Sequence, residues 1–244
     1  HESYKDNNGK WLYPTEVEKV NNKTFIKKSD KSEVIVGPPE SMSKSKKNTI
    51  DPEVMIEQYG ADSVRWFILS DSPPEKDIQW SDSGVASANK FLQKIWNLNF
   101  LIISRKEKET SKETENKLNA QIDSYAKKID NSIDNFRFNV AIAQFYEIYK
   151  FFKDFVDKNI SNKTLRNNMI KIMKLMTPFT PHLAQECLVT LNCKSLDNWP
   201  EIQDNISENI KLAVQINGKT RDIISVKKDL TEKEIDKIIL DKSK

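Results

Sequence analysis

The stretch Ser81–Ser104, SDSGVASANKFLQKIWNLNFLIIS, decides how the chain folds. Val85, Ala88, Leu92, Ile95, Asn99 and Ile102 recur three or four positions apart, and Phe91 and Trp96 widen the stripe. That is the period of a helix with one buried face, not of a strand. The spacing returns in Leu118, Ile122, Tyr125, Ile129 and Ile133, then in Ala141, Phe145, Ile148, Phe152 and Phe155. It returns again in Leu165, Met169, Ile172 and Met176 and, past a break bracketed by Pro178 and Pro181, in Leu183, Ala184, Cys187, Leu188 and Leu191. Five amphipathic helices with short links predict a mainly α chain built on an antiparallel helical bundle. The polar run Ser104–Lys117 carries no apolar residue and reads as a solvated connection.

Outward from the bundle, both ends change character. Residues 1–40 are polar, with strand-like runs at Thr24–Ile26 and Glu33–Val36 and breakers at Gly9, Pro14, Gly37, Pro38 and Pro39, which predicts a small irregular β insertion. Residues 41–49 hold Lys44, Lys46 and Lys47, no acid, and Met42 as their one apolar side chain. Asp51-Pro52 then reads as an N-cap followed by Pro at the first helical position. Val54, Met55, Ile56 and Tyr59 give that helix an apolar side, Gly60 stops it, and a second short helix is expected over Asp62–Leu69. After Pro200 the alternation Leu212, Val214, Ile216, the turn signal Asn217-Gly218, and Ile224 with Val226 predict a hairpin. Thr231 and Glu234 form a capping box before Ile235, Ile238 and Ile239. Two strands and a helix bury little by themselves, so residues 206–244 read as part of a small α/β domain. The boundaries expected are therefore 1–80, 81–205 and 206–244.

Composition narrows the function classes. Of 244 residues 31% are charged and 37% hydrophobic, and only 5 are glycine, a count that disfavours a glycine-rich α/β nucleotide fold. Apolar runs such as Trp66–Leu69 and Phe100–Ile103 are far shorter than the roughly 18 residues a membrane span needs. The net charge of +3 is too small to name a polyanionic partner, and the excess of lysine over arginine is accounted for by codon bias. Cys187 and Cys193 make no disulfide framework and no CxxC pair, so a reducing cytoplasm fits and no metal site is read. No targeting segment is visible. A chain that opens at His1 without a cap or strand pattern reads as an internal piece of something longer.

The chemistry-bearing segment is Ser41-Met42-Ser43-Lys44-Ser45. Three lysines within four positions repel one another and favour an anionic guest, Ser43 and Ser45 offer hydroxyls, and the helix starting at Pro52 adds partial positive charge. By themselves five such residues also describe a mobile Ser/Lys linker. The match is longer than five residues. Met42-Ser43-Lys44-Ser45-Lys46, Asn48, Ile50-Asp51-Pro52, Tyr59-Gly60-Ala61-Asp62, Arg65 and Phe67 closely resemble the KMSKS-type signature loop of class I aminoacyl-tRNA synthetases, in its leucyl version most of all. The likeness continues through Ser72-Pro73-Pro74-Glu75, Trp80-Ser81-Asp82, Thr177-Pro178-Phe179-Thr180-Pro181-His182, and Val214-Gln215-Ile216-Asn217-Gly218-Lys219 with Arg221.

The resemblance implies that residues 1–80 end a catalytic domain, 81–205 form the anticodon-binding type of bundle, and 206–244 begin a C-terminal domain. It implies an enzyme that activates leucine with ATP and Mg2+ and ligates it to tRNA(Leu). Lys44 matches the catalytic lysine that meets charge building on the departing pyrophosphate, with Ser41, Met42, Ser43 and Ser45 as the rest of the ATP-side loop. Ser41 departs from the pattern, which usually has lysine there; Lys46 or Lys47 is the substitute in view. The partner first signature, His-x-Gly-His, is not in this sequence, whose histidines are His1 and His182, so the piece alone is not expected to adenylate. Lys219 and Arg221 belong to a hairpin region, 211–228, with five bases against Asp222, expected to grip a tRNA backbone or to be a solvated basic face. No aromatic interleaves those bases, so stacking is not expected there. The alternatives are a valyl, isoleucyl or methionyl relative, against which the Val214–Arg221 hairpin argues, and a non-catalytic tRNA-binding module. His182, Arg65, Trp80 and Cys187 read as structural.

Overall fold

A computed structural model describes the chain except for residues 22–23, 197, 203–208, 217–218, 228–229 and 243–244. Short strands organise the polar N-terminal region. β1 (Tyr4–Lys5) pairs antiparallel with both β2 (Trp11–Leu12) and β5 (Ile35–Val36), while β3 (Val17–Lys19) and β4 (Phe25–Lys27) form a separate ribbon. Tyr4, Leu12, Val17 and Val34 are buried together, with Phe25 and Val36 against them. This is a core of four residues, and the region leans as well on polar ties such as Asp6, whose carboxylate accepts from the Asn8 and Lys10 amides.

Four helices start where a short polar side chain meets an orphan N–H group. Asp51 accepts from Glu53 N at 3.0 Å and opens α1 (Pro52–Tyr59). Gly60, at φ 81°, ends α1 and leads into α2 (Ala61–Asp71), a left-handed backbone that suits glycine. Ser81 caps α3 (Asp82–Ser104) and Ser111 caps α4 (Lys112–Asp134). α5 (Phe138–Val156) follows, then α6 (Asn162–Met176), capped by Ser161, and α7 (Pro181–Thr190). β6 (Asn209–Ile216) and β7 (Lys219–Lys227) pair antiparallel, with an irregularity at Val214/Gln215, and α8 (Glu232–Lys242) comes last.

One large core unites α2 to α7. Each of Val85, Ala88, Leu92, Ile95 and Ile102 is buried there, as are Leu118, Ile122, Ile129, Phe145, Phe152, Met169, Met176 and Leu188. α2 packs on α3 and α5, α4 on α5 and α6, and α6 on α7. Trp66 of α2 is completely buried; its ring lies 5.3 Å from that of Phe91 and 5.8 Å from that of Phe145, and its indole N–H donates to the Tyr146 hydroxyl at 3.0 Å. At Gly84 any Cβ would stand 2.5 Å from the Phe67 ring, so α3 approaches α2 too closely there for a larger residue.

Two expectations change. The stretch read as a connection up to Lys117 ends earlier, because α4 begins at Lys112. Ser111 caps that turn, and Glu115 accepts from the hydroxyls of Ser161 (2.5 Å) and Thr164 (2.8 Å), which ties it to the start of α6. Secondly, the apolar side of α1 is mostly uncovered: Val54 is 47% and Ile56 46% exposed, and only Tyr59 packs onto the large core. The Asn217-Gly218 turn signal lies outside the described residues; the pairing of Ile216 with Lys219 brackets it. Thr231 and Glu234 bond as expected of a capping box, with the carboxylate accepting from the Thr231 amide at 2.8 Å.

Candidate functional site

The loop between β5 and α1 is held from within by a single buried amide. Asn48 Oδ1 accepts from Ser43 N at 2.8 Å, and Asn48 Nδ2 donates to the carbonyls of His1 and Ser41, each at 3.3 Å. Above that staple the chain turns tightly: Lys46 N donates to Ser43 O and Lys47 N to Lys44 O, with Lys47 at φ 54°. The Ser43 and Ser45 hydroxyls stand 2.7 Å apart. Ser41, Met42, Ser43, Lys44 and Ser45 thus sit together, with Ser41, Met42, Lys44 and Ser45 exposed.

The three lysines differ in what they touch. Lys46 is ion-paired with Glu40, and that ammonium, followed by the Ser3 hydroxyl, holds the Glu40 carboxyl below the usual carboxylate range. Lys47 places its Nζ 4.7 Å from the centre of the Tyr13 ring, a cation–π distance. The Lys44 ammonium has no hydrogen bond or ion pair with any described residue. Both candidates for replacing the charge missing at Ser41 are therefore engaged elsewhere in this conformation. An exposed ammonium at the tip of a fixed turn can meet an anionic guest without breaking a contact.

Behind the loop, α2 joins the bundle through polar contacts that sequence spacing alone does not reveal. The buried Asp62 carboxylate accepts from Leu183 N at 2.7 Å and contacts His182 Nδ1 at 2.9 Å, so it caps the start of α7 from 121 residues away. Arg65 donates to the carbonyls of Pro178 (2.7 Å) and Phe179 (3.3 Å). The motifs Tyr59–Arg65 and Thr177–His182 are thus two halves of one joint. His182 and Arg65 work in that joint, as the structural reading of both expected. Trp80 packs edge-on to Phe67 and donates to Asp82 at 2.8 Å. Cys187 is buried in the core, and burial pushes its thiol up to about 12.

Lys219 and Arg221 lie at the other end of the chain order. Lys219 opens β7 opposite Ile216, and Arg221 follows two residues later with its side chain exposed. Asn48 is the residue that sequence reasoning passed over. Its place in the motif was visible, but a buried amide that bonds three backbone groups is recognisable only once His1 and Ser41 are near it. Among the described residues no group of three His, Cys, Asp or Glu side chains is placed to hold a metal ion, and no helix is long and apolar enough to cross a membrane.

Comparison with known proteins falls along the same lines. Residues 115–237 match the family model of the anticodon-binding domain of tRNA ligase, and residues 34–81 that of class I tRNA synthetases of the I, L, M and V group. The leucine–tRNA ligase of Rickettsia massiliae is 39% identical over 244 residues, which is 98% of this chain and 29% of the relative. That of Zymomonas mobilis is 34% identical over 98% of this chain and 28% of its own length. A leucyl-tRNA synthetase from Agrobacterium radiobacter K84, solved in a ternary complex with tRNA and LeuAMS, superposes with a TM-score of 0.67 at 27% identity, over 82% of this chain and 27% of that one. The chain spans less than a third of the length of these relatives. With the anticodon-binding model matched over half the chain, the class I synthetase model over residues 34–81 and leucine–tRNA ligases aligned along 98% of this chain, the chain belongs to the leucyl-tRNA synthetase family of class I tRNA ligases.

Proposed function

We propose that this chain serves a cytoplasmic leucine–tRNA ligase as the part that supplies the ATP-side loop and the tRNA-binding bundle. In this reading residues 1–80 close the catalytic domain, 81–205 form the bundle and 206–244 belong to the C-terminal domain. The leucine carboxylate attacks the α-phosphorus of ATP, the bond to the bridging oxygen breaks, and pyrophosphate leaves with the electron pair. Negative charge grows on the β- and γ-phosphate oxygens as that bond lengthens. Lys44 presents its ammonium to those oxygens, and Ser43 and Ser45 position the turn. The family uses Mg2+ with ATP; the described residues offer no donor set for it, and the loop's own contribution is positive charge. Adenylation requires portions of the ligase beyond this chain. Lys219 and Arg221 add attraction for the tRNA backbone.

One observation carries the catalytic part: of the three loop lysines, Lys44 is the one whose ammonium has no partner among the described residues. A preorganised donor aimed at developing charge is worth roughly 2.7–4 kcal/mol, or about 100- to 1000-fold in rate. Lys44→Ala in the complete ligase is expected to slow ATP–pyrophosphate exchange by about two orders of magnitude while leaving the melting temperature unchanged. Exchange within twofold of the parent would remove Lys44 from the mechanism.

A further inference from the structure

The surface of the bundle between α3 and α5 carries a second combination of charge and rings. A groove of about 350 Å³ is lined by Ser87, Lys90, Phe91 and Lys94 from α3 and by Tyr146 and Tyr149 from α5. No carboxylate is among these residues. Lys90 and Lys94 stand one helical turn apart, so their side chains share a face and repel each other by a few tenths of a kcal/mol unless an anion sits between them. Neither makes an ion pair with a described residue.

The opposite wall is aromatic and fixed. Tyr146 is 41% exposed, yet its hydroxyl is held by the Trp66 indole at 3.0 Å and its ring lies 4.1 Å from that of Phe91. Tyr149 meets Phe91 edge-on at 5.8 Å. A ring held in advance loses little conformational freedom when a flat ligand stacks on it. We propose that this groove seats one nucleotide of the tRNA, its phosphate between Lys90 and Lys94 and its unstacked base or ribose against Tyr149 and Tyr146. Lysine neutralises phosphate, tyrosine faces stack bases without regard to sequence, and a tRNA offers both groups in its loops. The β6–β7 hairpin has the charges without the rings; the α3–α5 groove has both. The proposal rests on the reading of this chain as a tRNA binder and adds the place and chemistry of contact.

The test is a fluorescence-anisotropy titration of the full 244-residue chain against a labelled tRNA(Leu) transcript at several salt concentrations. Lys90→Ala/Lys94→Ala is expected to bind about tenfold or more weakly, with the slope of log K against log salt reduced by about 1–2. Tyr149→Ser is expected to weaken binding about fivefold or more, and Tyr149→Phe to stay within twofold of the parent. Circular dichroism melting checks that each variant folds. If the parent chain binds and the double lysine variant matches it in affinity and slope, or Tyr149→Ser equals Tyr149→Phe, the groove is not the contact. If the parent itself shows no binding at 50 mM salt, the tRNA reading falls and the groove with it.

Discussion

The loop-bearing region, residues 1–60, and the bundle that follows it are held by different forces. Four buried apolar side chains and a set of polar ties hold the first, among them the Asn48 amide that staples the Ser41–Ser45 loop. The second interlocks side chains from six helices around Trp66, Phe145, Phe152 and Phe179, all completely buried or nearly so. A region with little core can shift at small cost, and the proposed role of the loop beside a departing pyrophosphate would use that. A bundle that presents a fixed surface to a large partner gains from the opposite arrangement. α2, which follows the loop-bearing region, is set into the bundle both by the buried Trp66 and by polar contacts, since Asp62 and Arg65 grip the α6–α7 corner.

That contrast is most exposed to failure at Trp66. Trp66→Ala removes a fully buried indole from the centre of the aromatic cluster and leaves the Tyr146 hydroxyl without its donor. A loss of about 3–5 kcal/mol is expected in urea unfolding. A loss below 1 kcal/mol would mean that the bundle is as loosely held as the loop region.

A smaller effect separates the two regions by pH. Glu115 in the bundle is held below its ordinary value by the Ser161 hydroxyl first and the Thr164 hydroxyl second; Glu40 beside the loop is lowered first by Lys46. For a lowered carboxyl the unfolded state binds the proton more readily, so the stabilisation is present above the unfolded value of about 4.3 and is lost as pH falls through the folded one. Both groups are partly exposed, which screens the gain; for Glu115 it amounts to less than about 1 kcal/mol. Glu115→Gln is expected to flatten the fall in bundle stability on acidification, followed by circular dichroism. An unchanged slope would remove Glu115 as the tie between α4 and α6.

Most of the bundle could be read beforehand because burial imposes a period on the sequence. Val85 through Ile102 show it, and each of those side chains is where the spacing puts it. The start of α4 could not, since residues 112–117 have no apolar member and the helix is fixed there by Ser111 and by Glu115 reaching Ser161. The loop residues Ser41–Ser45 were legible because they are contiguous. What each lysine touches was not, because Glu40 and Tyr13 meet Lys46 and Lys47 only after the chain folds back. The α3–α5 groove required two helices to be set side by side. The pairs Lys90/Lys94 and Tyr146/Tyr149 were each at helical spacing, yet nothing in either pair points to the other.

The smallest expected effect bears on α1, where apolar residues led to a different outcome. Val54 and Ile56 have the apolar character of core residues, and they remain nearly half exposed, whereas Val85 on α3 is fully buried. Replacing valine by alanine separates character from burial. Val85→Ala is expected to cost about 1.5–3 kcal/mol, the value of a buried side chain of that size. Val54→Ala removes little buried area and replaces a β-branched residue with the best helix former, so its effect is expected within about 0.5 kcal/mol and to lean towards stabilisation. Thermal unfolding of the two variants side by side measures the difference. Equal losses would mean that the α1 face is covered in solution and that the loop region owns more core than its four buried residues supply.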